Sequence, residues 1–183
     1  FMNIKKNLKS TKFKILEIKN LKINKIIKIN IKNKKNLGSD RIANAIGAKK
    51  LKNCLIIDFG TATTFDVIIK NQYYGGIISP GVQLSLETLF TKASLIDPIK
   101  LKKIKVIVGK NTKEAVRSGF FWGYIGLINN IIELILKKKR KKFDIILTGG
   151  LAHLFKDSLD YQVKINKDLT MMGLLKIAKE EYE

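Results

Sequence analysis

The sequence predicts an α/β domain in which a mixed sheet carries packed helices. Two patterns support this. Short apolar runs rich in β-branched residues, at 55–57, 65–69, 73–78, 106–108 and 143–147, read as strands. Longer proline-free stretches at 40–48, 82–93, 112–136 and 169–180 carry apolar residues at helical spacing. Strands, helices, a strand and a helix in that order suit an α/β architecture. At 183 residues and 45% hydrophobic, the chain holds one ordinary domain, or one domain and part of another.

Each element has its own local reason. Between Lys5 and Lys35, Lys or Asn alternates with Ile or Leu, and Ile27 to Lys32 has the period of a half-buried strand. Gly38-Ser39-Asp40-Arg41 turns the chain into a helix, with Ser39 or Asp40 as its cap. Ile42, Ala43, Ala45, Ile46 and Ala48 form that helix's apolar side. Leu55 to Ile57 runs into Asp58-Phe59-Gly60-Thr61-Ala62-Thr63-Thr64, and Phe65 to Ile69 follows. Lys70-Asn71-Gln72 supplies a hairpin turn before Tyr73 to Ile78, which completes a β-meander. Ser79-Pro80-Gly81 breaks the chain before a helix over Val82 to Ala93. Val106 to Val108 reads as a short strand, and Thr112 to Leu136 as a long helix. The basic run Lys137 to Lys142 suits the negative end of that helix's dipole. Phe143 to Leu147 is a strand ending in Thr148-Gly149-Gly150, and the last helix covers about Leu169 to Glu180.

Charge excludes less than its size suggests. There are 36 basic and 15 acidic residues, a net +21. Arginine occurs only at Arg41, Arg117 and Arg140, while Lys, Ile and Asn rise together as AT-rich codons dictate. Proteins that read phosphates or base edges favour the bidentate arginine fork. The excess therefore reads as compositional drift, and no specific nucleic-acid partner is expected. The longest apolar stretch, Ser118 to Leu136, contains Asn129, Asn130 and Glu133, which are costly in lipid, so no membrane span is expected. Phe1 to Lys5 opens without a leader-like apolar run. The single cysteine, Cys54, opens an apolar strand as a small core residue and fits a reducing cytoplasm.

Candidate chemistry lies in three glycine-bearing turns: Asp58 to Thr64, Gly75 to Gly81, and Thr148 to Gly150. Glycine lets backbone approach a ligand closely. Successive N–H groups and Thr hydroxyls make a neutral cradle for phosphate oxygens, and an acidic residue such as Asp58 can hold a neutralising cation. There is no Gly-x-x-x-x-Gly-Lys-Ser/Thr phosphate loop, protein-kinase motif set, His-Glu-x-x-His or paired cysteine. His153 reads as a surface residue, and Asp66 as structural.

Asp58 to Asp66 resembles the second phosphate motif of type III pantothenate kinases. Gly38 to Ala45 resembles that family's Gly-x-Asp-Arg segment. Gly75-Gly76-Ile77-Ile78-Ser79-Pro80-Gly81 resembles its Gly-Gly-x-Ile-x-Pro-Gly segment, and Thr148 to Ala152 its adenosine-side motif. Asn111 to Gly119 and Asp168 to Leu174 also fit, so the resemblance runs from about Gly38 to Leu174.

The resemblance implies an actin-like ATPase (ribonuclease H-like) fold. Residues 1–53 would be the remainder of a first domain, and 54–183 a second. It implies transfer of the ATP γ-phosphoryl group to pantothenate, the first step of coenzyme A biosynthesis. Asp40 would be the general base. Gly38, Ser39, Arg41 and Thr112 would bind pantothenate with it. Thr61 would contact ATP phosphate, and Asp58 a monovalent cation, K⁺ or NH₄⁺. Mg²⁺, a homodimer with the substrate site near its interface, and a cytoplasmic location complete the expectation. The family opens with an Asp-x-Gly-Asn-Thr turn that nothing in Phe1 to Leu37 matches. The first domain is therefore expected to be incomplete here, and this chain alone to turn over little. An inactive or repurposed relative, regulatory like the Bvg accessory factors or polyanion-binding, is the alternative reading. Ile31 stands where the family commonly has an aromatic residue.

Overall fold

The computed structural model describes residues 16–182. Its centre is a six-stranded sheet of order β1-β4-β3-β2-β5-β6. Strands β2 (Asn53–Phe59), β3 (Ala62–Ile69) and β4 (Gln72–Pro80) form the antiparallel meander read from the sequence. Lys70 and Asn71 adopt positive φ at the β3–β4 turn, the conformation that two-residue hairpin loops require. β5 (Asp144–Gly149) adds parallel to β2, and the two-residue β6 (Lys164–Ile165) parallel to β5. β1 (Lys28–Ile29) pairs parallel with β4 at the opposite edge.

Alternation along β2 divides the core into two layers. Leu55, Ile57 and Phe59 join one apolar cluster, and Cys54 and Ile56 the other. The first cluster is covered by α2 (Val82–Lys92), α3 (Thr112–Lys139) and the short α4 (Ala152–Phe155). The buried stripe of α3, Ser118, Phe121, Ile125, Ile128, Ile132 and Ile135, has the three-four spacing of a helix lying on a core. By length and composition α3 could cross a membrane. Here that stripe faces the sheet, and Asn129 donates to Asp160 Oδ2 at 2.7 Å. Phe155 stacks on Phe59 and Phe121 at centroid distances of 5.2 and 5.8 Å.

The second face carries α1 (Ser39–Gly47) and α5 (Leu169–Tyr182), with Ile18, Ile23, Ile27 and Ile29. A Cβ at Gly173 would overlap the Ala43 carbonyl, and one at Gly47 the Leu169 carbonyl. The two helices therefore cross nearly backbone to backbone. Lys176 Nζ donates to the carbonyls of Ile46 and Gly47 at 3.1 and 2.9 Å, satisfying the end of α1.

Several expectations need correction. Residues 106–108 form no strand. Val106, Ile107 and Val108 are 44%, 63% and 81% exposed, and the Ile107 carbonyl accepts from Ser118 Oγ at 2.5 Å instead of a ladder partner. The alternating N-terminal region contributes only Lys28 and Ile29 to the sheet among the described residues. Ile18 and Ile23 bury their side chains from 3-10 turns at Ile18–Asn20 and Ile23–Lys25, and Ile27 is buried just before β1. The part before Leu16, including the leader-free opening, lies outside the described residues. Gly38, not Ser39 or Asp40, is the N-cap of α1, and no side chain caps it. Gly75 to Pro80 is strand rather than turn, bent by an irregularity opposite Val67 and Ile68 where Gly75 takes φ +130. β6 and α4 span two and four residues, too short to show a sequence period.

Candidate active site

The carboxyl ends of β2 and β5 lie side by side, with Asp58 opposite Thr148 and Phe59 opposite Gly149. Ligands of α/β sheets bind just beyond such strand ends. After Phe59 the chain reverses in two residues, Gly60 and Thr61, before β3 begins. Gly60 N–H donates to the Ala62 carbonyl and Gly81 N–H to the Thr61 carbonyl, both at 3.1 Å, so the start of α2 braces the turn. The Thr61 N–H has no partner among the described residues. Gly149 needs to be glycine. Its φ is +86, and an added Cβ would lie 2.6 Å from Asp58 Oδ1 and from the Phe59 carbonyl.

Asp40, in the first turn of α1, faces these strand ends. Asp40, Asp58, Gly60, Thr61, Ala62 and Thr64 line one open cleft of about 560 Å³, together with Ile78 to Pro80 and Leu84. That volume is in the range of small-ligand sites. A second cleft shares Gly60, Thr61 and Leu84 and reaches Gly150 and Leu151. The 58–64 and 148–150 bends therefore share one region with the residue-40 carboxylate. Gly75 to Ile78 forms no turn, because it lies within β4; Gly81 serves as the brace just described.

Asp58 lies on the α1 face of the sheet. Asn44 Nδ2 donates to Asp58 Oδ2 at 2.8 Å, and Thr170 Oγ1 donates to Asn44 Oδ1 at 2.6 Å. Burial pushes the Asp58 carboxyl up; the Asn44 hydrogen bond opposes that shift and the Asp40 charge adds to it. A partly buried carboxylate facing a second carboxylate fits a cation, which would favour its ionised form. Thr64 Oγ1 is buried at the cleft without a hydrogen-bond partner among the described residues. Thr64, Asn44 and Thr170 were not singled out from the sequence. Thr64 sat inside the phosphate motif without a role, and the other two are joined to Asp58 only by the fold.

Arg41 turns away from the turn toward β3 and β4. Its Nε donates to Asp66 Oδ1 at 2.8 Å, its Nη2 lies 2.6 Å from the same oxygen, and Tyr73 Oη donates to it at 2.7 Å. Asp66 is fully buried. Burial pushes its carboxyl up, and the Arg41 and Tyr73 bonds pull it back. The structural reading of Asp66 agrees with this placement.

Thr112 is not brought to the cleft. It begins α3 and lines a separate pocket with Leu95, Asp97, Asn111 and Val116. Asn111 Oδ1 caps that helix by accepting from Glu114 N–H at 2.9 Å. Gly38 precedes α1, and a Cβ there would meet only the movable Asp40 carboxylate. His153 is exposed on α4. Cys54 is buried, its thiol pushed up to about 12 by burial, which suits a core residue and not a nucleophile.

Comparison with known proteins agrees with this geometry. A type III pantothenate kinase of Pelagibacter ubique (strain HTCC1062) is 56% identical over 166 residues, covering 90% of this chain and 66% of that protein. The type III pantothenate kinase of Syntrophotalea carbinolica is 40% identical over 145 residues, covering 78% and 57%. The chain thus spans about two thirds or less of the length of these curated relatives. Among solved structures, one described as a Baf family transcriptional activator from Campylobacter jejuni aligns at TM-score 0.62 and 22% identity, over 87% of this chain and 72% of that one. A 2-dehydro-3-deoxygalactonokinase protein from Sinorhizobium meliloti aligns at 0.56 and 12%, over 76% and 57%. At such identities the likeness speaks to the fold alone, and it is the actin-like one expected. The type III pantothenate kinase family profile matches residues 2–134. With the cleft, the ordered motifs and these relatives together, the chain belongs to the type III pantothenate kinase family.

Proposed function

We propose that the whole protein transfers the γ-phosphoryl group of ATP to the primary hydroxyl of pantothenate. The observation that carries this reading is the shared cleft of Asp40, Asp58 and the Gly60–Thr61 turn. Phosphoryl transfer asks mainly for positioning and charge stabilisation. Asp40 accepts the hydroxyl proton as general base. Gly38, Ser39 and Arg41, which flank Asp40 in the chain, bind the acceptor with it. Thr61, whose N–H has no partner among the described residues, meets a phosphate oxygen, and Gly150 backs the nucleotide side of the adjoining cleft.

Asp58 holds the monovalent cation, K⁺ or NH₄⁺. Among the described residues no group of three acidic, His or Cys side chains is arranged to hold a metal, so Mg²⁺ fits best as a companion of the ATP phosphates. Thr112, remote from Asp40 within one chain, reaches pantothenate across a homodimer. Residues 1–53 belong to the first actin-like domain and 54–183 to the second. The protein works in the cytoplasm, where the buried Cys54 thiol stays reduced.

The test uses the full-length enzyme, with ADP release measured with and without pantothenate. Asp40→Asn is expected to lower kcat by about 10²–10⁴-fold, the usual worth of a general base, while nucleotide affinity changes little. Pantothenate-independent ADP release, or near-normal turnover by Asp40→Asn, would overturn the assignment.

A further inference from the structure

We propose that Thr64 supplies a neutral oxygen ligand, its side-chain hydroxyl, to a monovalent cation held by Asp58. This rests on the assignment of a cation to Asp58 within the pantothenate kinase reading and deepens it. Thr64 on β3 is the direct cross-strand partner of Asp58 on β2. Partners in register project from the same face of a sheet, with Cβ atoms about 4.5–5.5 Å apart. Such a pair is close enough to share a hydrogen bond, yet this one shares none. Thr64 is 7% exposed, and its Oγ1 is buried without a partner among the described residues. The reason lies above the sheet. Asn44 draws Asp58 Oδ2 toward α1 at 2.8 Å, and Thr170 holds Asn44 in turn at 2.6 Å.

An orphaned hydroxyl alone does not make a site, and the molecule holds its own comparison. Thr63 Oγ1 is also buried and without a partner among the described residues. Side chains alternate along β3, so Thr63 projects to the α3 side of the sheet and lines neither cleft. Thr64 lines the same cleft as Asp40 and Asp58. A buried hydroxyl without a partner is costly, and a group that enters the cleft can satisfy the one at Thr64 but not the one at Thr63.

The chemistry of that group follows from the lining. The cleft has two carboxylates and no basic side chain, so the space beside Asp58 and Thr64 favours a cation over an anion. No third acidic, His or Cys side chain joins them in a metal-holding group among the described residues, which disfavours a dedicated divalent site. A monovalent ion needs less charge and takes neutral oxygens in place of its hydration shell. Asp58 provides the charge through Oδ1, the oxygen that Asn44 leaves free. Thr64 turns its proton away and presents its lone pairs. Its hydroxyl therefore stays orphaned until the ion arrives.

The test reads the Tm of the full-length protein while K⁺ or NH₄⁺ is titrated against choline at constant ionic strength. Wild-type Tm is expected to rise with either ion, and the lower midpoint identifies the ion that fits better. Thr64→Val keeps the branched shape without the hydroxyl, and should raise the midpoint concentration about tenfold for both ions. In choline alone the same variant should melt no lower than wild type, because it buries no orphaned hydroxyl. Thr64→Ser should stay within about threefold of the wild-type midpoint, and Thr63→Val should leave it unmoved. An unmoved midpoint in Thr64→Val, or an equal shift in Thr63→Val, overturns the proposal. If Thr64→Val does not fold, Thr64→Ala decides by the same comparison. A wild type whose Tm ignores both ions would overturn the cation assignment to Asp58 and this inference together. A wild type that binds the ions but does not phosphorylate pantothenate would overturn the functional reading alone.

Discussion

At the scale of single residues, the cleft gathers carboxylates that oppose one another and the fold. Asp58 shows this most clearly. Its folded carboxyl is raised above the ordinary 3.8 by burial, with the Asp40 charge adding to the shift. A raised folded value means its contribution favours the fold below about 3.8 and is lost as pH rises through the folded value. Near neutrality the ionised carboxylate therefore works against folding until a cation compensates it. In potassium-free buffer at pH 7.5, Asp58→Asn in the full-length protein should raise Tm by a few degrees, and the gap should shrink toward pH 4. Potassium should raise the wild-type Tm and leave the variant's unmoved. A variant that melts lower than wild type at pH 7.5 would contradict this account. Asp40, Asp58 and Thr61 were legible in the sequence because their motifs are contiguous and turn chemistry is local. Asn44 and Thr170 were not, because 126 positions separate them and nothing along the chain marks the hydrogen bond they share. The partnership of Asp66 with Arg41 was hidden for the same reason, since 25 positions divide them.

At the scale of elements, the meander and the long helices were legible because each satisfies its own backbone locally and repeats its apolar pattern many times. Residues 106–108 looked like a strand by composition, yet a strand also needs a ladder partner, and they pair with none of the six strands among the described residues. The N-terminal alternation misled for the opposite reason. It buries side chains correctly while only Lys28 and Ile29 find ladder partners among the described residues. The crossing of α1 and α5 depends on two missing side chains, at Gly47 and Gly173. Gly173→Ala forces a methyl against the Ala43 carbonyl, so it should destabilise the protein by about 1–3 kcal/mol, the range for overpacking. The urea midpoint checks it; an unchanged midpoint would mean the helices separate at no cost. Because Thr170 lies in the first turn of α5, a shifted crossing should also loosen the Thr170–Asn44–Asp58 hydrogen-bond chain.

At the scale of the whole molecule, the distance between Thr112 and the Asp40 cleft makes subunit arrangement testable. Asp40→Asn and Thr112→Arg should each inactivate a homodimer. Co-expressed, they should recover about a quarter of wild-type activity, because half of randomly paired dimers are mixed and each mixed dimer has one intact site. No recovery would mean that Thr112 and Asp40 serve one site from the same chain, and an active Thr112→Arg variant would place Thr112 outside the working site. Although the net charge is +21, the cleft is lined by acidic and neutral groups. Gly76 carries an evolutionary corollary. A Cβ there would overlap the Phe65 carbonyl of the neighbouring strand as well as Arg41 Nη2. A lineage that gave up the arginine would remove only the yielding half of that obstacle, so glycine at 76 should outlast the arginine wherever β3 and β4 keep their pairing.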